Sequence, residues 1–351
     1  MPALTPRRLA LRWGALLAVS LALTALLEWL DLPAALLLGP MAAGIVLASA
    51  SAPVAVPRPA FLVGQAVVGC LMASTITPAI TDTLARDWPL FGGAVIAVVT
   101  VSSLLGIALQ LLRLLPGTTA IWGTAPGAAA AMTLMSEAGG ADMRLVAFMQ
   151  YLRVVMVAVT ASTVARFAGA GVAMIGAATW FPPLAAGPLA TTLLLAALGA
   201  AGGGLLRWTA GPMLIAFLTG GALHAAGLIE LSLPPWLLAA SYAMVGWTIG
   251  LRFNRDILRH AARVLPHILG AILLLLGTCG GIGLALARLG HIDWLTAVLA
   301  MSPGATDSVA IIAASTHVDV PFVMSLQTAR FVLVMVAGPA LAKALTRCVR
   351  R

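Results

Sequence analysis

Long apolar stretches separated by short polar ones run the length of the chain. They cover 9–30, 33–50, 59–80, 88–112, 118–138 and 143–166 in the first half. The second half gives 185–206, 211–228, 234–251, 265–289, 294–314 and 320–346. About 20 apolar residues are needed to cross a bilayer as a helix, and most of these stretches are close to that length. The pattern predicts an all-α polytopic membrane protein. The stretch 169–184, with Pro182-Pro183, reads as a linker between a first repeat at 1–168 and a second at 185–351.

The halves repeat at a shift of 177. Val68-Gly69 falls on Val245-Gly246, Gly106 on Gly283, Pro126-Gly127 on Pro303-Gly304, Asp142 on Asp319, Gln150 on Gln327 and Arg153 on Arg330. Arg86 and Pro89 likewise fall on Arg263 and Pro266. Apolar matches between lipid-facing helices mean little. Matches at Pro, Gly, Asp, Gln and Arg carry weight, because these residues are rare or costly there. Gly39-Pro40-Met41 recurs as Gly211-Pro212-Met213 at a shift of 172.

Basic residues then choose a topology. If every stretch crosses, Arg86, Arg144, Arg207, Arg252, Arg255, Arg259 and Arg263 fall outside. If the fifth and eleventh stretches instead enter and return on one side, only Arg86, Arg166 and Arg288 do, which fits the positive-inside rule better. That leaves about ten crossings, five per repeat. An odd number makes the repeats inverted, with both termini cytoplasmic.

Composition agrees. Of 351 residues, 61% are hydrophobic and 9% charged, against about 25% charged in ordinary soluble domains. Mean hydropathy is +1.06. The net charge of +9 sits mostly in short loops and at the termini, where it anchors helices rather than binding nucleic acid. Cys70, Cys279 and Cys348 form no CxxC pair, and the five histidines form no HxH, HxxxH or HExxH pattern. No disulfide framework, metal site or cofactor is expected, and no nucleotide-binding loop is present.

The fifth stretch reads IWGTAPGAAAAMTLMSEAGGADM, and its copy VLAMSPGATDSVAIIAASTHVDV. A Pro-Gly pair removes a donor and loosens the helix. Broken backbone at membrane depth is tolerated only inside protein or along a wet cavity. Paired breaks at matching places in two halves point to a transporter site. The candidate site is therefore Thr124, Pro126 and Gly127 with Ser302, Pro303 and Gly304, faced by Gln150, Arg153, Gln327 and Arg330. Thr306 and Asp307 join it, since a carboxylate among hydroxyls suits Na⁺ or proton coupling. The plainer alternatives are a structural kink, an N-cap at Asp307, and buried ion pairs such as Arg330 with Asp307 or Arg153 with Glu137.

The run PGAAAAMTLMSEAGGADMRLVAFMQYLRVV, its copy SPGATDSVAIIAASTHVDVPFVMSLQTARFV and the GPM motifs resemble the bacterial AbrB membrane family over nearly the whole chain. The family carries an internal duplication, and its labels include regulator of gene expression and ammonia monooxygenase. Members often have a Ser-Glu pair after the first break. Ala130 and Ala131 stand there in this chain, which leaves Asp307 to compensate. The expectation is a secondary transporter in the bacterial inner membrane, taking a small anionic solute by alternating access. A regulator or an oxygenase is the alternative, and a homodimer stays open.

Overall fold

A computed structural model describes residues 6–30, 35–50, 54–78, 88–127, 129–167, 180–183, 185–206, 210–253, 255–290, 292–304, 309 and 318–349. Thr306, Asp307 and most of the linker 169–184 lie outside them. Among the described residues the structure is helical, without a strand. The first half contains α1 (Pro6–Trp29), α2 (Ala35–Ser49), α3 (Arg58–Ser74), α4 (Trp88–Leu111), α5 (Thr119–Thr124), α6 (Ala129–Ala138) and α7 (Met143–Phe167). The second contains α8 (Ala186–Leu206), α9 (Gly211–Ala225), α10 (Pro235–Gly250), α11 (Arg255–Gly290), α12 (Trp294–Met301) and α13 (Val320–Val349).

Six of these helices contain a stretch long and apolar enough to cross a membrane, and α2, α3 and α9 are shorter apolar helices. Large side chains stay exposed along them: Ile96, Leu104 and Leu111 on α4, and Leu194, Leu198 and Leu205 on α8. Water would penalise such continuous apolar stripes, whereas lipid tails accept them. This is the character of an α-helical membrane protein.

One element departs from the hydropathy pattern. Helix α11 begins at Arg255, ten residues before the apolar stretch at 265–289 does. Arg255, Arg259 and Arg263 stand one turn apart on its exposed side, while Ala261, Val264 and Ile268 are buried on the other. Hydropathy cannot register a helix whose first turns are amphipathic.

The chain divides into two compact units, and each draws on both halves of the sequence. One holds residues 1–75 and 178–262, the other 76–177 and 263–351. The repeats along the chain and the bodies in space are thus different partitions.

In the first unit, α3 packs on α9, and α10 packs on α2, so each half supplies a helix to the other. Gly69 and Gly246, equivalent at the shift of 177, make these crossings close. A Cβ at Gly69 would lie 2.3 Å from the Met213 carbonyl oxygen, and one at Gly246 would lie 2.8 Å from that of Leu37. Met213 belongs to the second GPM motif and Leu37 lies two residues before the first. Trp247 packs edge-on against Trp13 and donates to Ser20 Oγ at 2.8 Å, joining α10 to α1.

In the second unit, α4 packs on α5, α12 on α13, and α7 on both α5 and α6. Its core gathers Phe91, Val95 and Val98 of α4, Leu275 and Cys279 of α11, Leu299 and Met301 of α12, and Val323 and Leu326 of α13. The Pro-Gly segments belong to this unit.

Candidate functional site: two clamped Pro-Gly breaks

Proline ends both short helices. The residue before a proline is pushed out of the α region, and the proline lacks an N–H to continue the ladder. Ala125, before Pro126, has φ −54° and ψ 130°. Ser302, before Pro303, has φ −58° and ψ 127°. Helix α5 therefore stops at Thr124 and α12 at Met301. In the first segment the chain turns through Pro126-Gly127 and re-enters a helix at Ala129.

The ends of the first segment then meet. Gly117 and Ala141 form an antiparallel bridge, and Thr118 Oγ1 donates to the Gly139 carbonyl at 3.0 Å. The Asp142 N–H donates to Thr119 Oγ1 at 3.0 Å. Helices α5 and α6 are thus the arms of a hairpin, with the Pro-Gly break at its tip. The described ends of the second segment share the last of these contacts: the Asp319 N–H donates to Thr296 Oγ1 at 3.2 Å. Asp319 and Asp142 also cap the helices that follow, accepting from the Phe322 N–H at 2.9 Å and the Arg144 N–H at 3.0 Å.

Breaking a helix leaves carbonyls without donors, a cost of several kcal/mol per group in a water-free interior. Gln150 on α7 repairs the first break. Its Nε2 donates to the Trp122 carbonyl at 2.9 Å and the Ala125 carbonyl at 3.1 Å. Trp122 lies four residues before Pro126, so the glutamine supplies the donor that the proline lacks. Gln327 does the same for Pro303, donating to Leu299 at 3.0 Å and Ser302 at 3.1 Å.

The arginines complete each clamp. Arg153 Nη1 donates to the Ala125 carbonyl at 2.7 Å and more distantly to Thr124 at 3.5 Å. Its Nη2 donates to Gly127 at 3.1 Å and to Gln150 Oε1 at 2.7 Å. Arg330 Nη1 donates to Ser302 at 2.6 Å, and its Nη2 to Gly304 at 3.3 Å and to Gln327 Oε1. A cation at a helix C-terminus also meets the negative end of the helix dipole. Gln150 and Gln327 are fully buried, Arg153 is 2% exposed and Arg330 4%. Every contact of the second clamp has its counterpart in the first 177 residues earlier.

Each tip rests on the long helix of the other half. A Cβ on Gly304 would lie 2.6 Å from Val157 Cγ1 of α7. A cavity of about 30 Å³ is bounded by Ala125, Pro126 and Met132 of the first hairpin, by Val334 and Gly338 of α13, and by Ser102. Val157 and Val334 are themselves equivalent at the shift of 177. A smaller cavity of about 10 Å³ lies against Arg153, Thr124, Gly123 and Ile268.

Of the residues expected from sequence, ten are thereby brought into one unit: Thr124, Pro126, Gly127, Gln150, Arg153, Ser302, Pro303, Gly304, Gln327 and Arg330. Among the described residues the four Nη nitrogens of the two arginines are engaged by carbonyls and glutamines rather than by carboxylates. Glu137 is exposed on the last turn of α6, away from the buried Arg153. Sequence reasoning passed over Thr119 and Thr296, which latch the hairpin bases, and Ser102 with Cys279. Each of these pairs is separated by 177 and was open to the same comparison. Among the described residues, no three His, Cys, Asp or Glu side chains gather as metal ligands.

Fold and site together define a helical protein of membrane character, with two proline breaks in one unit, each clamped by a buried Gln/Arg pair. The chain belongs to the AbrB family, whose model, described as "Transition state regulatory protein AbrB", matches residues 36–346. It is 44% identical over 335 residues to "Putative regulator AbrB" of Escherichia coli (strain K12), covering 95% of this chain and 96% of that protein. It is 25% identical over 300 residues to "Uncharacterized protein YhjN" of Bacillus subtilis (strain 168), covering 79% and 76%. No solved structure matches.

Proposed function

We propose that this protein is a secondary transporter of a small solute in the bacterial inner membrane, with its site at the two hairpin tips. The repeats are inverted in this reading, so the hairpins enter from opposite faces. Passage occurs when the clamped bundle shifts and opens each tip to one face in turn. One observation carries the reading: two proline breaks in the same unit, each clamped by a buried Gln/Arg pair and each resting on the long helix of the other half. A protein needing only a hydrophobic scaffold gains nothing from two buried charges and two breaks, each costly in lipid. Asp307 directly follows Thr306 in the second copy, where it suits proton carriage. The name of the Escherichia coli relative favours a second reading, a membrane regulator.

Single cysteines discriminate between these. Ala125→Cys and Ser302→Cys, each placed in a background with Cys70, Cys279 and Cys348 replaced by serine, are exposed to a membrane-impermeant maleimide in right-side-out and inverted vesicles. Labelling of each from both faces is expected. Labelling from one face only fits a sensor or enzyme pocket, and sealing from both faces would overturn the transport reading.

A further inference from the structure

The geometry points to a small monocarboxylate as the solute, with no Na⁺ held at the break carbonyls. The inference rests on the transport reading of the same site. Carbonyls released where a membrane helix unwinds are the groups that a coupling Na⁺ takes. Here those of Ala125 and Gly127 are held by Arg153, and those of Ser302 and Gly304 by Arg330. The guanidinium groups stand where such a cation would stand. They are tethered to α7 and α13 and stay protonated.

Charge bookkeeping then selects the sign of the solute. Among the described residues neither arginine takes part in an ion pair; the pairs found there are Arg144 with Asp142 and Arg259 with Asp256. Each helix C-terminus offsets about half a unit charge, so with Asp307 in its protonated form two buried cations leave about one positive charge uncompensated. One monoanion balances it.

Unused donors select the chemistry. Arg153 Nε and Arg330 Nε are both buried without a partner, although every Nη contact around them is made. Ser302 Oγ, at the second tip, is also buried and unpartnered. Buried N–H groups on charged side chains are seldom left unmade, because each forfeits a charge-assisted bond. A carboxylate has two oxygens able to accept from Nε–H groups and from the Ser302 hydroxyl. The cavities of about 10 and 30 Å³ admit water but no carboxylate, so binding requires the tips to open.

The test is thermal melting of the purified full chain in detergent. The probes are formate, acetate, propionate, lactate and pyruvate as N-methyl-D-glucamine salts. The neutral amides of the same acids serve as controls, and NaCl is compared with N-methyl-D-glucamine chloride. At least one carboxylate should raise the melting temperature in a saturable way, its amide should not, and Na⁺ should add nothing. Arg330→Lys keeps the charge but removes Nε–H, and Ser302→Ala leaves the backbone clamp untouched. Each should weaken carboxylate binding, the first about tenfold or more. If Arg330→Lys fails to fold, the Ser302→Ala comparison still decides. Stabilisation by amides or by Na⁺, or by no carboxylate in the panel, would overturn the inference. The transport reading would survive that result so long as Ala125→Cys and Ser302→Cys label from both faces, and it would fail by the labelling alone.

Discussion

Replacing Gln150 by leucine tests the reason for the clamp. The side chain is nearly isosteric and fully buried, so packing is preserved and three hydrogen bonds disappear. The Ala125 carbonyl keeps its bond from Arg153. The Trp122 carbonyl keeps nothing, because Pro126 sits where its helical donor would be. An unpaired buried carbonyl costs about 1–3 kcal/mol, and a lost bond to a charged group about 1.5–3 kcal/mol. Together they predict a loss of about 3–5 kcal/mol, offset in small part by the added apolar surface. Tryptophan fluorescence in a detergent melt should report a fall of about 5–10 °C. Gln110→Leu is the control: Gln110 Oε1 already lacks a partner, so this change should cost little. Gln327→Leu should behave like Gln150→Leu, with a smaller penalty at the carbonyl, because Leu299 also accepts from the Ser302 N–H. If Gln150→Leu melts with the parent, the carbonyls find other donors and the glutamine is not what permits the break.

Other expectations are simpler to check. Gly69→Ala places a Cβ 2.3 Å from the Met213 carbonyl and should cost about 1–3 kcal/mol in the same melt, whereas Gly92→Ala on α4 meets nothing within 4 Å and should gain about 0.5–1 kcal/mol. Burial alone would raise the Asp142 carboxyl, but hydrogen bonds and charge from Arg144 outweigh it and hold the group below its usual 3.8. A depressed carboxyl stabilises the fold above the unfolded value and loses that contribution as pH falls through the folded one. The stability gap between the parent and Asp142→Asn should therefore be constant above about pH 5 and close below about pH 4. A gap that widens on acidification would refute the Arg144 pairing.

The sequence alone determined the apolar elements, the duplication and the two breaks. Hydropathy registers any helix that lipid surrounds, so the predicted start of α4 at Trp88 and of α13 at Val320 coincide with the structure. Proline and glycine act locally, so the ends of α5 and α12 were legible from Pro126 and Pro303. Gln150, Arg153, Gln327 and Arg330 stood out because such groups are costly in lipid. What these side chains touch was not legible. That Gln150 serves the Trp122 carbonyl depends on α7 lying beside α5, a contact between residues 28 apart. The weighed Arg153–Glu137 pair failed for a like reason: Glu137 points outward on the last turn of α6, and spacing along the chain carries no such direction. Closure of the first hairpin, the exchange of helices between halves and the resting of each tip on the opposite long helix were likewise decided by tertiary packing. Local sequence sets where a helix must stop; only the fold decides which neighbour supplies the donors its stopping leaves unpaired.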